Sequence, residues 1–146
     1  MLSKSIKETE KIASMFLSDI LKNKHQGKGA LVFGLSGDLG AGKTAFTQAV
    51  ARYLGVKEKV NSPTFVLMKK YILPKSKTHT HMFHLDAYRL KDERELLQLG
   101  WKEIINNKTH IVFIEWPELV KKAIPKSARY VYITHEKSGS RNLKLK

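Results

Sequence analysis

Cysteine is absent from this chain of 146 residues, which excludes disulfide frameworks and thiolate metal sites and leaves an intracellular location permitted. Also absent is any apolar run of the roughly 20 residues a membrane-spanning helix needs. Met1 to Glu10 alternate charged and apolar side chains, without the continuous hydrophobic segment of a secretory leader. The expected location is therefore cytoplasmic, with no membrane partner. Negative charge is scarce: 13 Asp and Glu stand against 27 Lys and Arg, a formal net charge of +14. Such a surface attracts nucleic acid, acidic proteins or anionic lipid without a dedicated motif. Arginine is scarce too. Only Arg52, Arg89, Arg94, Arg129 and Arg141 occur, whereas bidentate phosphate and base recognition favours Arg over Lys. The lysines are scattered, so a compositional bias accounts for the charge as well as a nucleic-acid partner does. No internal repeat is present, and the length suits one domain with a single core.

What is present centres on Gly37-Asp38-Leu39-Gly40-Ala41-Gly42-Lys43-Thr44, which fits the phosphate-binding pattern GxxxxGK[ST]. Its context is right. Ala30 to about Leu35 reads as a buried strand before it, and Ala45, Phe46, Ala49, Val50, Tyr53 and Leu54 give a helical face after it, closed by Gly55. Glycines let the backbone wrap closely round a phosphate chain, and the helix N-terminus adds partial positive charge. Lys43 would reach the β and γ phosphates, and the Thr44 hydroxyl is a hard oxygen ligand suited to Mg2+. A glycine-rich turn of purely structural use would not require Lys-Thr after its last glycine.

Before the loop, Ser5-Ile6-Lys7-Glu8 has capping-box spacing, and Ile12, Met15, Phe16 and Ile20 give an amphipathic helix to about Leu21, expected to dock on the domain's own core. After it, Val66 to Leu73, His81 to Asp86, His110 to Glu115 and Arg129 to Thr134 read as strands. Asp92 to Gly100 reads as a helix with a glycine stop, the pattern resumes weakly through Trp101 to Asn107, and Pro117 begins a short helix through Ile124. The tail from His135 is polar except for Leu143 and Leu145. His79, His81 and His84 raise the question of a metal site, yet His79 and His81 alternate as ordinary strand positions and no clear fourth ligand is at hand.

Two strands end on acids, Asp86 and Glu115. In open α/β sheets the C-terminal strand ends carry ligand-contacting groups, and a phosphate loop needs a carboxylate to hold Mg2+ or orient its waters. Together with the phosphate loop, Ser62-Pro63-Thr64-Phe65, His84-Leu85-Asp86-Ala87-Tyr88-Arg89-Leu90 and Glu115-Trp116-Pro117-Glu118 resemble, in order and spacing over residues 5–135, the bacterial TsaE (YjeE) family. That resemblance implies a small ATPase supporting the threonylcarbamoyl modification of adenosine in tRNA. It implies an α/β, P-loop NTPase-like three-layer sandwich, with a mostly parallel or mixed central sheet flanked by helices, as one domain over 1–146. ATP and Mg2+ would be the cofactors, and TsaB- and TsaD-like proteins of the threonylcarbamoyl-transferase complex the partners, with tRNA contact open. Gly37 to Lys43 would bind the phosphates, Thr44 and Glu115 the metal, and Asp86 would assist as a metal-shell or water-orienting carboxylate. Thr64 would sense the γ-phosphate as a switch threonine, Trp116 would shape the site, and Thr9 and Glu10 would border the adenine.

Water is then the expected nucleophile, and turnover by the chain alone is expected to be slow, since no arginine finger is evident. Two other readings compete. A small-molecule P-loop kinase would need an acceptor-binding insertion, for which Pro74 to Thr80 is too short. A basic RNA-binding module that merely retains a nucleotide site would bind RNA with a steep salt dependence, indifferent to ATP. A GTPase is disfavoured, because Asn107-Lys108-Thr109-His110 lacks the aspartate of NKxD and precedes its strand.

Overall fold

Alternation along the strands builds two cores. Leu31, Phe33 and Leu35 point to one side of a sheet and Ala30 and Val32 to the other, and each set is buried. In the computed structural model, which describes residues 1–23, 28–61 and 67–146, seven strands form one sheet in the order β1-β7-β6-β2-β5-β4-β3. These are β1 (Leu2–Ser3), β2 (Leu31–Ser36), β3 (Met68–Ile72), β4 (His81–Asp86), β5 (His110–Glu115), β6 (Arg129–His135) and β7 (Arg141–Leu145). The four central strands, β6, β2, β5 and β4, run parallel, and β3, β7 and β1 add antiparallel edges. The expected mixed sheet is therefore parallel where it is most buried.

On one face lie α1 (Ile6–Lys22) and α2 (Lys43–Tyr53). Ile12, Ala13, Leu17 and Ile20 of α1 and Phe46, Ala49 and Val50 of α2 meet Phe33, Phe113, Val131 and Ile133, with the Phe33 and Phe113 rings stacked 4.9 Å apart and Phe16 edge-on to Phe33 at 5.5 Å. Met15, which the sequence placed on this apolar face, is 55% exposed. The face centres instead on Ala13, Leu17 and Ile20, one step round the helix. One half of the predicted capping box is made, the Ser5 hydroxyl accepting from the Glu8 N–H; the Glu8 carboxylate accepts instead from the N–H of Lys4, one residue before the cap. On the other face, α3 (Glu93–Gln98), α4 (Trp101–Ile105) and a 3-10 helix (Pro117–Ala123) cover Val32, Leu85, Val112 and Ile114 through Leu96, Trp101, Ile104 and Val120. This makes the expected three layers.

The glycine stop expected at Gly100 is made, its φ of 81° separating α3 from α4. One departure from the sequence reading lies in the tail. The polar tail holds a strand, β7, which pairs with β6 and buries Leu143 to 1% exposure. No helix among the described residues is long and apolar enough to cross a membrane.

Candidate nucleotide site

Parallel pairing puts both acids at one level. β4 and β5 align Asp86 with Glu115, β2 and β5 align Leu35 with Glu115, and the phosphate loop leaves β2 just beyond Leu35. Leu39, Gly40, Gly42, Lys43, Thr44, Asp86, Glu115 and Trp116 consequently line one cavity of about 220 Å3. Sequence proximity could not have brought these three segments together; sheet register does.

The loop is built for close approach. A Cβ at Gly37 would sit 2.4 Å from the Ile133 carbonyl oxygen, and Gly42 has a φ of 109°, a left-handed geometry that opens α2. The α2 N-terminus has no side-chain cap and no acidic residue in its first turn, which leaves its N–H groups and positive dipole end for an anion. Lys43 is 6% exposed; its ammonium donates to the carbonyls of Gly37 and Asp38 and lies 4.3 Å from the Trp116 ring centroid. The cation is thus held over the loop by the loop's own oxygens and a π face. Trp116 takes a backbone geometry that a bulky residue rarely adopts, φ 60° and ψ 49°. Its ring packs at 5.1 Å on Tyr88. Sparsely populated backbone of this kind costs on the order of 1–3 kcal/mol and concentrates at functional sites.

Glu115, 4% exposed, is gripped from two sides. The Thr44 hydroxyl donates to its Oε1 at a long 3.4 Å, and His84, with 0% exposure, bonds its Oε2 through Nε2 at 2.9 Å. For that bond the His84 proton sits on Nε2; Nδ1 is buried without a partner. In the sequence, His84 with His79 and His81 makes a poor metal site for want of a fourth ligand. Among the described residues no cluster of three or more His, Asp or Glu could hold a metal, and His84 instead positions a carboxylate, as second partners of ligating groups commonly do. Its signal was present: His84 and Asp86 share one strand face, two residues apart.

Asp86 accepts from the Tyr88 N–H at 2.9 Å. Burial pushes its carboxyl above the usual range and the Glu115 charge adds to the rise, against the Tyr88 N–H, His84 and Lys43, which pull it down. An acid raised in the folded state holds its proton more tightly there than in the unfolded chain, so ionised Asp86 subtracts stability as pH climbs through that window. Asp86→Asn should therefore keep the melting temperature of the nucleotide-free protein at pH 7 equal to or above wild type, and the gap should close as pH falls below the carboxylate range. A melting temperature several degrees lower in thermal denaturation would contradict this.

Two further basic groups reach the loop from β6 and β7. His135 Nε2 bonds the Gly40 carbonyl at 2.6 Å, and the Arg141 side chain lies where a Gly42 Cβ would point, 2.9 Å from its Nε, a buried nitrogen without a hydrogen-bond partner. Nothing in the local sequence signalled this, since it depends on the hairpin register that opposes His135 to Arg141. Of the other expected residues, Thr64 lies outside the described residues together with Ser62, Pro63 and Phe65. Gly37, Asp38 and Ala41 belong to the loop but not to the cavity lining. Thr9 and Glu10 do not line it either: the Thr9 hydroxyl bonds Ser3 at 2.8 Å, and Glu10 pairs with Arg52.

A parallel-centred sheet with a glycine loop running into α2 defines a P-loop-like α/β protein. A family model described as threonylcarbamoyl adenosine biosynthesis protein TsaE matches residues 3–143, and the chain belongs to the TsaE family, whose proteins take part in tRNA threonylcarbamoyladenosine biosynthesis. It is 36% identical over 115 residues to the Bacillus subtilis protein named tRNA threonylcarbamoyladenosine biosynthesis protein TsaE, covering 77% of this chain and 66% of that one. With the Rickettsia prowazekii protein of the same name the identity is 35% over 118 residues, 80% and 73% of the two chains. With that of Haemophilus influenzae it is 34% over 128 residues, 88% and 77%. The alignment thus spans just under two thirds of the Bacillus protein's length. The crystal structure of Bacillus subtilis YdiB superposes with a TM-score of 0.74 at 26% identity, covering 99% of this chain and 82% of that one.

Proposed function

We propose that the chain is a Mg2+-dependent ATP hydrolase, one domain over 1–146, that supports threonylcarbamoyl modification of tRNA adenosine by binding and cycling the threonylcarbamoyl-transferase complex, with TsaB- and TsaD-like partners in the cytoplasm. The observation that carries it is the convergence of Lys43, Thr44, Asp86 and Glu115 on one cavity at the uncapped end of α2.

The donor set fits both ligands. The loop N–H groups, Lys43 and Arg141, whose Nε has no hydrogen-bond partner among the described residues, suit a phosphate chain, and the Thr44 hydroxyl with the Glu115 carboxylate is an oxygen pair suited to Mg2+. When bound, the metal neutralises charge on the phosphate oxygens. Lys43 exchanges the Gly37 and Asp38 carbonyls for phosphate oxygens and stabilises the charge that develops during transfer. Asp86, which lines the same cavity, accepts a hydrogen bond from the attacking water in this reading. His84 keeps Glu115 from turning away. Trp116 excludes water on the Lys43 side, and its indole reports on that lysine.

This gives a direct test. Trp101, the other indole, is buried with its N–H bonded to the Ala123 carbonyl, so an emission change on adding Mg-ATP arises at Trp116. The change should saturate, disappear in Trp116→Phe and accompany slow phosphate release that rises with the purified transferase proteins. A flat titration with wild-type protein, together with no phosphate release in the presence of those proteins, would refute the proposal.

A further inference from the structure

The sheet face that packs on α3, α4 and the 3-10 helix continues past β2 onto β6 and β7. There Tyr130 is half-buried, and Tyr132, Thr134, Asn142, Lys144 and Lys146 are exposed, while their alternates Val131, Ile133 and Leu143 fill the core on the opposite side. Tyr130 and Tyr132, two residues apart on one strand face, lie with ring centroids 6.2 Å apart and planes 24° apart. Tyr130 is seated on a bare stretch of β2, since a Cβ at Gly34 would fall 2.8 Å from its ring. Lysines are interleaved with the rings. Lys144 is the register partner of Tyr132, Lys146 exchanges both backbone hydrogen bonds with Tyr130, and the Lys146 ammonium lies 5.8 Å from the Tyr132 centroid. A groove of about 450 Å3 runs beside them, lined by Ser36, Pro117, Glu118, Lys121 and the two tyrosines.

We propose that this tyrosine-lysine face of β6 and β7 binds an unpaired stretch of RNA, with bases stacking on Tyr130 and Tyr132 and phosphates held by Lys121, Lys144 and Lys146. Side-by-side aromatics on an open sheet are how single-stranded RNA is read by stacking, and stacking tolerates any base because each has a π face. The lysines decide between RNA and a protein partner. Protein interfaces gain Tyr but are depleted of Lys at their centres, whereas here lysines stand directly beside the rings on a chain of net charge +14. Glu118 is the one acid among the described residues lining the groove, and its carboxylate accepts from the Ser36 hydroxyl at 3.4 Å. The face lies outside the nucleotide cavity and does not depend on ATP being bound there.

The test is fluorescence anisotropy of a labelled oligouridine of about ten nucleotides, a length within the site sizes of stacking-type binders, titrated with the full chain. Binding should weaken steeply between about 50 and about 200 mM KCl. Tyr132→Ala should weaken it about 10-fold, and Tyr132→Phe should restore it, since the ring is what stacks. Lys144→Ala with Lys146→Ala should flatten the slope of log affinity against log salt by about 1.4, at about 0.7 per lost single-strand phosphate contact. Tyr132 is 37% exposed, so its truncation leaves the core in place, and an unchanged melting curve verifies this. The proposal is overturned by absence of binding at the lowest salt, or by wild-type affinity in both Tyr132→Ala and the lysine pair. It is overturned equally if Tyr132→Ala spares RNA binding and abolishes binding of a purified transferase protein, which would make the face a protein-docking surface.

Discussion

Lys43→Ala should lower Mg-ATP affinity by about 100-fold or more and bring ATP turnover to background, in an otherwise folded protein. The lysine is 6% exposed, bonded to the Gly37 and Asp38 carbonyls and stacked on Trp116; no other lysine among the described residues lines the cavity. Removing one preorganised donor aimed at developing charge typically costs about 2.7–4 kcal/mol, and here the donor also carries a full charge in a partly water-excluded site. Folding should survive, because the ammonium's carbonyl partners lie on a surface loop and can take water in its place. Isothermal titration with Mg-ATP checks the affinity and a melting curve checks the fold. Unchanged affinity would show that the phosphates lie elsewhere. The Trp116 emission change should vanish with the affinity, which separates loss of the cation from loss of the indole.

How far the sequence disclosed this arrangement depended on how local each cause is. The phosphate loop was legible because its chemistry is written in eight consecutive residues, and Asp86 and Glu115 because each closes an apolar run that can only be a buried strand. Their meeting in one cavity was an expectation that β4–β5 register fulfils, aligning the two positions directly. β7 is hard to read because it has a single buried face: only Leu143 and Leu145 announce it, and the polar residues between and before them disguise the rest. With β7 went Arg141, whose approach to Gly42 exists only in the folded hairpin. His84 has no partner that local sequence can show: the three neighbouring histidines lack a fourth ligand for a metal, and the partner, Glu115, comes from the parallel strand beside it.

That His84–Glu115 contact frames the second large effect. Glu115→Gln should reduce ATP turnover by at least about 100-fold while leaving Mg-ATP binding within roughly a factor of ten, since the amide preserves size and loses the negative charge that suits a metal ion. The buried amide can still accept from the His84 Nε2–H, so the fold should hold. His84→Ala should act through Glu115. It removes a buried partner at 2.9 Å from a carboxylate that otherwise has only the long Thr44 contact, and a turnover loss of about 10-fold matches the 10–100-fold cost typical of orienting partners. If the histidine works only by holding Glu115, the two losses will not add: the double variant should turn over no more slowly than Glu115→Gln alone. Additive losses in single-turnover kinetics would mean that His84 acts on the reaction independently of Glu115. Wild-type turnover in Glu115→Gln would remove both residues from the site and leave Asp86 as the carboxylate on which hydrolysis depends.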